Sequence, residues 1–154
     1  MRREKMTAKW FIHMWMLGMC SVEDCKEKRI SLWKIRLYAV LILAYEIWYR
    51  VGQGEGWSKW MLWCLMGILP GTAMLVISRV SKETIGYGDG YLTLILGFSM
   101  GFWDTLGILG IAFLGAMGAA IYLIIIRRRS RNSEIAFVPF LFLGMAGTGL
   151  WKGM

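Results

Sequence analysis

Long apolar segments joined by short connections dominate this chain, and they limit what it can fold into. Of its 154 residues, 57% are hydrophobic. A helix needs about 20 predominantly apolar residues to cross a bilayer. The sequence contains six apolar segments that can be compared with this length, at about residues 7–22, 32–49, 57–77, 89–102, 105–126 and 135–151. The sequence therefore predicts an all-α integral membrane protein with about six transmembrane helices, forming one domain over residues 1–154.

The later segments are rich in glycine, which predicts close helix packing. Gly97 and Gly101 are four residues apart, so both lie on one face of a helix. Small residues at this spacing let two helix backbones approach each other within a membrane. The pattern indicates packing and carries no information about chemistry.

Basic residues bear on partners and orientation. The net charge is +8. Binding of nucleic acid needs a basic surface that is exposed to water, and this apolar chain has little of it, so no nucleic-acid partner is expected. Lys and Arg are more numerous in the loops on the side of Asp24 and Asp89, which favours a plasma-membrane protein with these loops in the cytoplasm. The basic residues at the N-terminus favour the opposite orientation: Arg2, Arg3, Lys5 and Lys9.

Metal and cofactor sites are not expected. Cys20, Cys25 and Cys64 form no CxxC pair, and His13 is the only histidine. The cysteines in apolar surroundings are better interpreted as small core residues. We expect neither a metal nor a cofactor.

The acids at the ends of the apolar segments are the candidates for chemistry. The chain has three aspartates, Asp24, Asp89 and Asp104, and Asp89 ends the motif Gly86-Tyr87-Gly88-Asp89. A carboxylate at a membrane boundary is costly to desolvate. In the predicted topology, Asp24 follows the first span and Asp89 begins the fourth on the same side. Two such acids suggest a proteolytic pair.

The chemistry of such a pair is specific. Two carboxyls close together share a proton and titrate as a coupled pair. The ionised acid activates a water as general base, and the protonated acid polarises the scissile carbonyl and then protonates the leaving amine. Gly86, Tyr87 and Gly88 are expected to form a non-helical turn that admits a substrate backbone, because glycine removes steric hindrance.

Each of these residues also has an ordinary interpretation. Asp89 is equally suited to capping the N-terminus of the fourth helix. Asp24 lies beside Glu23 and Glu27, as in a solvated loop of mixed charge. The main rival function is a non-enzymatic membrane protein, a small transporter or assembly factor, in which aspartates cap helices or carry protons. Glu46 is the only acid within a span that suits a proton path.

Three regions together resemble the prepilin peptidase family, the type IV leader peptidases, which are membrane aspartyl proteases of the GxGD type. The stretch from Asp24 to Ser31 resembles the family's first motif. Gly86-Tyr87-Gly88-Asp89 resembles the second motif. Ile135-Ala136-Phe137-Val138-Pro139-Phe140, with Gly144, resembles the pattern of the last span. The resemblance implies a catalytic pair of Asp24 and Asp89.

The resemblance also implies a substrate class, the type IV pilin-like precursors, whose short basic leaders are removed at the cytoplasmic face without a metal. Another membrane-anchored precursor is the alternative substrate. Acids near the pair are candidates for contacting such a leader: Glu23, Glu27 and Glu83. The sequence departs from the family at Ser31-Leu32, where the family has Pro-Asn, and at Gly90-Tyr91, where it often has Val-Lys. The chain resembles the short form, without the N-methylating domain.

Overall fold

Six α-helices make up the described part of the chain. The computed structural model describes residues 2–27, 30–52, 57–80, 86–125 and 136–151. The helices are α1 (Arg2–Glu27), α2 (Leu32–Val51), α3 (Trp57–Val80), α4 (Tyr87–Met100), α5 (Phe102–Ile125) and α6 (Val138–Trp151). Each coincides with a predicted apolar segment, so the all-α class is confirmed for these residues.

Two of the helices are long and apolar enough to cross a membrane. These stretches are Trp60–Val80 in α3 and Phe102–Leu123 in α5, and a shorter apolar stretch occupies Val138–Leu150. The helices α4 and α6 have 14 residues each, fewer than the roughly 20 that a span needs. The count of six transmembrane spans therefore stays a prediction.

The surface of the two long stretches distinguishes them from the core helices of a soluble protein. Only 33% of the α3 stretch and 17% of the α5 stretch are buried. Large apolar side chains are exposed along α5, among them Phe113, Leu114 and Met117. Contiguous apolar surface of this kind marks an interface with lipid or another protein.

The chain divides into two compact units. The first unit comprises Met1–Arg29 with Gly107–Met154, and the second comprises Ile30–Leu106. Thus α1, α6 and most of α5 belong to the first unit, and α2, α3 and α4 belong to the second. The single peptidase domain predicted over residues 1–154 stays a prediction.

Glycines bring α3 and α4 together in the second unit. A Cβ atom on Gly97 would overlap the backbone carbonyl of Gly67, and a Cβ on Gly67 would overlap the carbonyl of Gly97. Further along the same pair of helices, Gly71 faces the backbone of Leu94 in the same way. The sequence indicated close packing at Gly97, and the structure identifies α3 as the partner. Gly101 follows the last residue of α4, has φ +87° and lies against the indole of Trp63, so the prediction that it shares a helix face with Gly97 is wrong.

In the first unit, α1 and α6 pack antiparallel. Trp10 Nε1 donates a hydrogen bond to the Met145 carbonyl at 3.4 Å. A Cβ on Gly18 would lie 3.5 Å from the ring of Phe142. The contact at the end of α1 is made by Asp24, which reaches the first residue of α6. Residue numbers rise along α1 as they fall along α6, so the two helices run in opposite directions.

Candidate active site

Asp89 lies in the first turn of α4 and is 8% exposed. Gly86 is the N-cap residue, with φ −61° and ψ 133°, and the helix begins at Tyr87. The Asp89 N–H donates to the Gly86 carbonyl at 3.1 Å. The alternative that Asp89 is itself the N-cap is therefore wrong, because it is the third residue of the helix. A carboxylate in the first turn is favoured electrostatically by the exposed peptide N–H groups there.

The second glycine of the Gly86-Tyr87-Gly88-Asp89 motif is explained by helix packing and not by the non-helical turn that we expected. Of Gly86, Tyr87 and Gly88, only Gly86 is non-helical, so the predicted three-residue turn is wrong. A Cβ on Gly88 would lie 2.7 Å from Ile30 Cδ1. Glycine at this position therefore admits the Ile30 side chain to the start of α4. This contact joins the first and second motifs.

The first turn of α4 is also fixed to α3. Thr93 is fully buried, and its Oγ1 donates to the Asp89 carbonyl at 2.8 Å. The same hydroxyl is 3.3 Å from Met74 Sδ. A Cβ on Gly90 would lie 2.6 Å from Leu75 Cδ2. These contacts hold the backbone that carries Asp89, and sequence reasoning missed Thr93 because a single threonine in an apolar helix has no distinctive signature.

Asp24 lies one turn before the end of α1 and is 6% exposed. The backbone N–H of Val138 donates to Asp24 Oδ2 at 3.1 Å. Burial raises the pKa of the Asp24 carboxyl, and the backbone amides of Val138 and Phe137 oppose that rise. Burial has the larger effect, so Asp24 retains its proton to a higher pH than an exposed aspartate does. The alternative of a solvated loop residue is wrong for Asp24.

The amide partner of Asp24 is the start of α6. The N–H groups of Phe140 and Leu141 both donate to the Phe137 carbonyl, at 3.0 and 3.2 Å, so the helix begins directly after Phe137. Pro139 occupies the first turn, where the missing N–H costs nothing. Free N–H groups at such a terminus attract a carboxylate. Asp24 and Asp89 therefore share one electrostatic setting, each lying at the N-terminal turn of a helix.

The other predicted site residues are spread over both units. Glu27 is exposed, and Glu23 is partly buried with a buried Oε2. Tyr87 is exposed on α4. Glu83, and Ile135 of the last-span pattern, lie outside the described residues. Asp24 belongs to the first unit and Asp89 to the second, so the pairing of their carboxyl groups stays a prediction.

Asp104 and Glu46 are the other described acids that lie within or at the end of a predicted span. Asp104 lies in the first turn of α5, beyond the far end of α4 from Asp89, beside a cavity of about 690 Å³ lined by Trp63 and Trp103. Glu46 is buried in α2, and Ser99 Oγ donates to its Oε1 at 3.5 Å. This contact links α2 to α4. Glu46 therefore makes a specific interhelical contact within the second unit, as expected of a structural polar group in a helix bundle.

Cysteine positions agree in part with their predicted packing role. Cys20 and Cys64 are buried, and Cys64 Sγ lies 3.6 Å from the Phe98 carbonyl. Cys25, next to Asp24, is exposed. The core interpretation, made for cysteines in apolar surroundings, is confirmed for Cys20 and Cys64.

Comparison with known proteins identifies a similarity to a protein family. A family model described as the type IV leader peptidase family matches residues 11–127, which include both Asp24 and Asp89. The match ends before α6 begins. No curated protein and no solved structure matches the chain significantly.

Proposed function

Because the chain belongs to the type IV leader peptidase family, we propose that it is a membrane aspartyl endopeptidase that cleaves the basic leaders of type IV pilin-like precursors. The family is one of membrane-embedded peptidases, so proteolysis is the general activity. The aspartic mechanism, the substrate and the orientation in the membrane are the parts that we propose. No cofactor has a role in this mechanism.

One observation carries the proposal. Within the residues that match the family, Asp24 and Asp89 are both nearly buried, and each lies at the N-terminal turn of a helix. Burial favours the protonated form of a carboxyl, while helix N-termini favour the ionised form. An acid held between these opposing influences is suited to transferring a proton. Asp104, the third aspartate, lacks this degree of burial.

The proposed reaction needs one proton shared between the two acids. The ionised carboxylate removes a proton from water while the water oxygen bonds to the scissile carbonyl carbon. The protonated carboxyl hydrogen-bonds to the carbonyl oxygen as negative charge develops there. The C–N bond then breaks, the leaving nitrogen takes a proton from the carboxyl pair, and the products are a carboxylic acid and an amine.

Leader recognition is the part of the proposal that concerns charge. Glu27 is exposed three residues after Asp24, and residues three apart share one face of a helix. With Glu23 and Glu83, it is suited to receive the basic leader. Exposed ion pairs contribute only about 0.2–1 kcal/mol each, so single substitutions have modest effects.

We expect Glu27→Gln to raise the KM for a basic leader up to about fivefold, with little change in kcat. A neutral leader should lose this sensitivity, because it forms no ion pair with Glu27. The measurement is kcat/KM on two precursors that differ only in leader charge. If the ratio of kcat/KM for the basic precursor to kcat/KM for the neutral precursor is the same in Glu27→Gln as in the original chain, Glu27 does not bind the leader.

Membrane orientation can be tested with a native residue. Cys25 is exposed beside Asp24, whereas Cys20 and Cys64 are buried, so a thiol reagent applied to the native chain should label Cys25. We expect an impermeant maleimide to label Cys25 in inverted membrane vesicles and not in intact cells. Cys25→Ser is the matched control and should abolish the signal. Labelling of Cys25 from outside intact cells would place Asp24 on the outer face.

The experiment that tests the function is direct. The chain is co-expressed with a type IV pilin-like precursor, and the product is analysed by its size and its N-terminal sequence. We expect removal of the leader at a single bond. A precursor that stays intact in the presence of the folded, membrane-inserted chain would contradict the proposal.

A further inference from the structure

The Asp24 carboxylate is held by a segment that lies far away in the sequence. Its partner, the Val138 N–H, is 114 residues away along the chain, and the hydrogen bond of 3.1 Å is buried. The family model ends at residue 127, so the matched residues do not include this partner. A backbone donor is also invisible to sequence reasoning, because every residue except proline carries one.

The donor itself is fixed in position by packing within the first unit. Val138, Leu141 and Met145 are buried, and their spacing of three and four residues forms one stripe along α6. Gly144 lies so close to the Ile108 carbonyl of α5 that a Cβ there would overlap it. A Cβ on Gly115 of α5 would similarly lie 2.9 Å from the Phe140 ring. These contacts prevent α6 from sliding along its axis relative to α5.

The register between α1 and α6 is set at three levels. Trp10 bonds to the Met145 carbonyl, Gly18 lies against Phe142, and Asp24 meets Val138. The first two contacts fix the height of α1 beside α6. The third then places a carboxylate oxygen against the first amide of α6. A side chain held in this way loses the rotamer freedom that an exposed aspartate has.

Few charged side chains belong to the described parts of the helices that pack in the first unit. The described residues of α6, Val138–Trp151, include no acidic, basic or histidine side chain. In the part of α5 that belongs to the first unit, up to Ile125, Tyr122 is the only titratable residue. On α1 itself, Glu23, Lys26 and Glu27 are within one turn of Asp24. Among the described residues of α5 and α6, the polar group that contacts this carboxyl is therefore the amide at the start of α6.

From this geometry we infer that the N-terminal turn of α6 is a positioning element for the catalytic carboxyl of Asp24. The Val138 N–H fixes the direction of Oδ2. The active site thus includes a backbone group from beyond the family match. The inference rests on the proposed function in treating Asp24 as catalytic, and the hydrogen bond itself can be tested without that assumption.

The test measures the titration of Asp24 directly. The chain has only three aspartates, so selective ¹³Cγ-aspartate labelling yields three carboxyl NMR signals in detergent micelles. The variants Asp24→Asn, Asp89→Asn and Asp104→Asn assign them. The test variant is Val138→Pro with Pro139→Ala, which removes the N–H of residue 138 and keeps one proline in the first turn. The matched control is Val138→Ala with Pro139→Ala, which keeps that N–H.

We expect the pKa of Asp24 to be about one pH unit higher in the test variant than in the control. Loss of the donor removes a bond that favours the ionised carboxylate. If the proline variant does not fold, Val138 can be replaced by its α-hydroxy acid, which deletes the same N–H and keeps the side chain. Equal titration of Asp24 in the N–H-deleted chain and its control would overturn the inference.

A second measurement connects the geometry to catalysis. The pH profile of kcat/KM should shift to higher pH in the N–H-deleted chain, by the same number of pH units as the Asp24 titration. If the titration moves but Asp24→Asn still cleaves the precursor, the bond exists and the proposed function is wrong. If Asp24→Asn is inactive and the N–H-deleted chain has the control's pH profile, the function stands and the positioning role is wrong.

Discussion

Replacing either buried aspartate, as Asp24→Asn or Asp89→Asn, should lower kcat for leader cleavage by at least about 10³-fold. An amide cannot take a proton from water, and it cannot deliver one to the leaving nitrogen. Each replacement therefore removes one half of the proposed proton transfer. The measurement is cleavage of a type IV pilin-like precursor by purified variants, with membrane insertion checked by fractionation.

Asp104→Asn is the matched control for this experiment. Asp104 lies in the first turn of α5, beyond the end of α4, and the part of α4 from Asp89 to Met100 alone is about 17 Å long at 1.5 Å per residue. We expect its replacement to leave kcat within about twofold of the original value. Substantial cleavage by Asp24→Asn or Asp89→Asn would rule out a mechanism with two acids.

The largest structural effect is expected from Gly97→Ala. A Cβ at this position would overlap the Gly67 carbonyl of α3, and neither backbone can move without separating α3 from α4. Overpacking of this kind costs about 1–3 kcal/mol, and a contact between two backbones lies at the upper end of that range. For a chain of this size, the thermal midpoint should fall by about 6–12 °C. Thermal unfolding in detergent, followed by circular dichroism, measures this.

Gly110→Ala is the control for Gly97→Ala. Gly110 is also inside a helix, but a Cβ built on it meets nothing within 4 Å. Alanine there should leave the thermal midpoint unchanged or raise it slightly, because glycine inside a helix is unfavourable by about 0.5–1 kcal/mol. Equal midpoints for the two variants would mean that the close approach of α3 and α4 does not limit stability.

Local patterns predicted much of the secondary structure, and the differences have local causes. The apolar runs predicted six helices, and six helices occupy the described residues. α1 extends beyond the predicted residues 7–22 to Arg2 and Glu27, because Arg, Lys and Glu are good helix formers that continue a helix past its apolar part. α4 begins at Tyr87 rather than at the predicted Asp89. Gly88 is part of the helix, and its missing side chain leaves room for Ile30 rather than for a non-helical turn.

Residue types and their short spacing were enough to predict candidates for the chemistry. An aspartate behind Gly-Tyr-Gly and a second near the end of an apolar segment made Asp89 and Asp24 the predicted pair, and this pairing stays a prediction. These inferences depended on residue type and short spacing, which are properties of the chain alone. The glycine spacing likewise indicated that Gly97 would face another helix.

The groups that surround these residues became known from the packing of the helices. The partner of Gly97 is Gly67, the neighbour of Gly88 is Ile30, and the donor to Asp24 is the Val138 amide. Each is a contact between residues far apart in the sequence, made by a backbone group or by an aliphatic side chain of a common type. Such groups have no distinctive sequence pattern, and their positions follow from how the helices pack against one another.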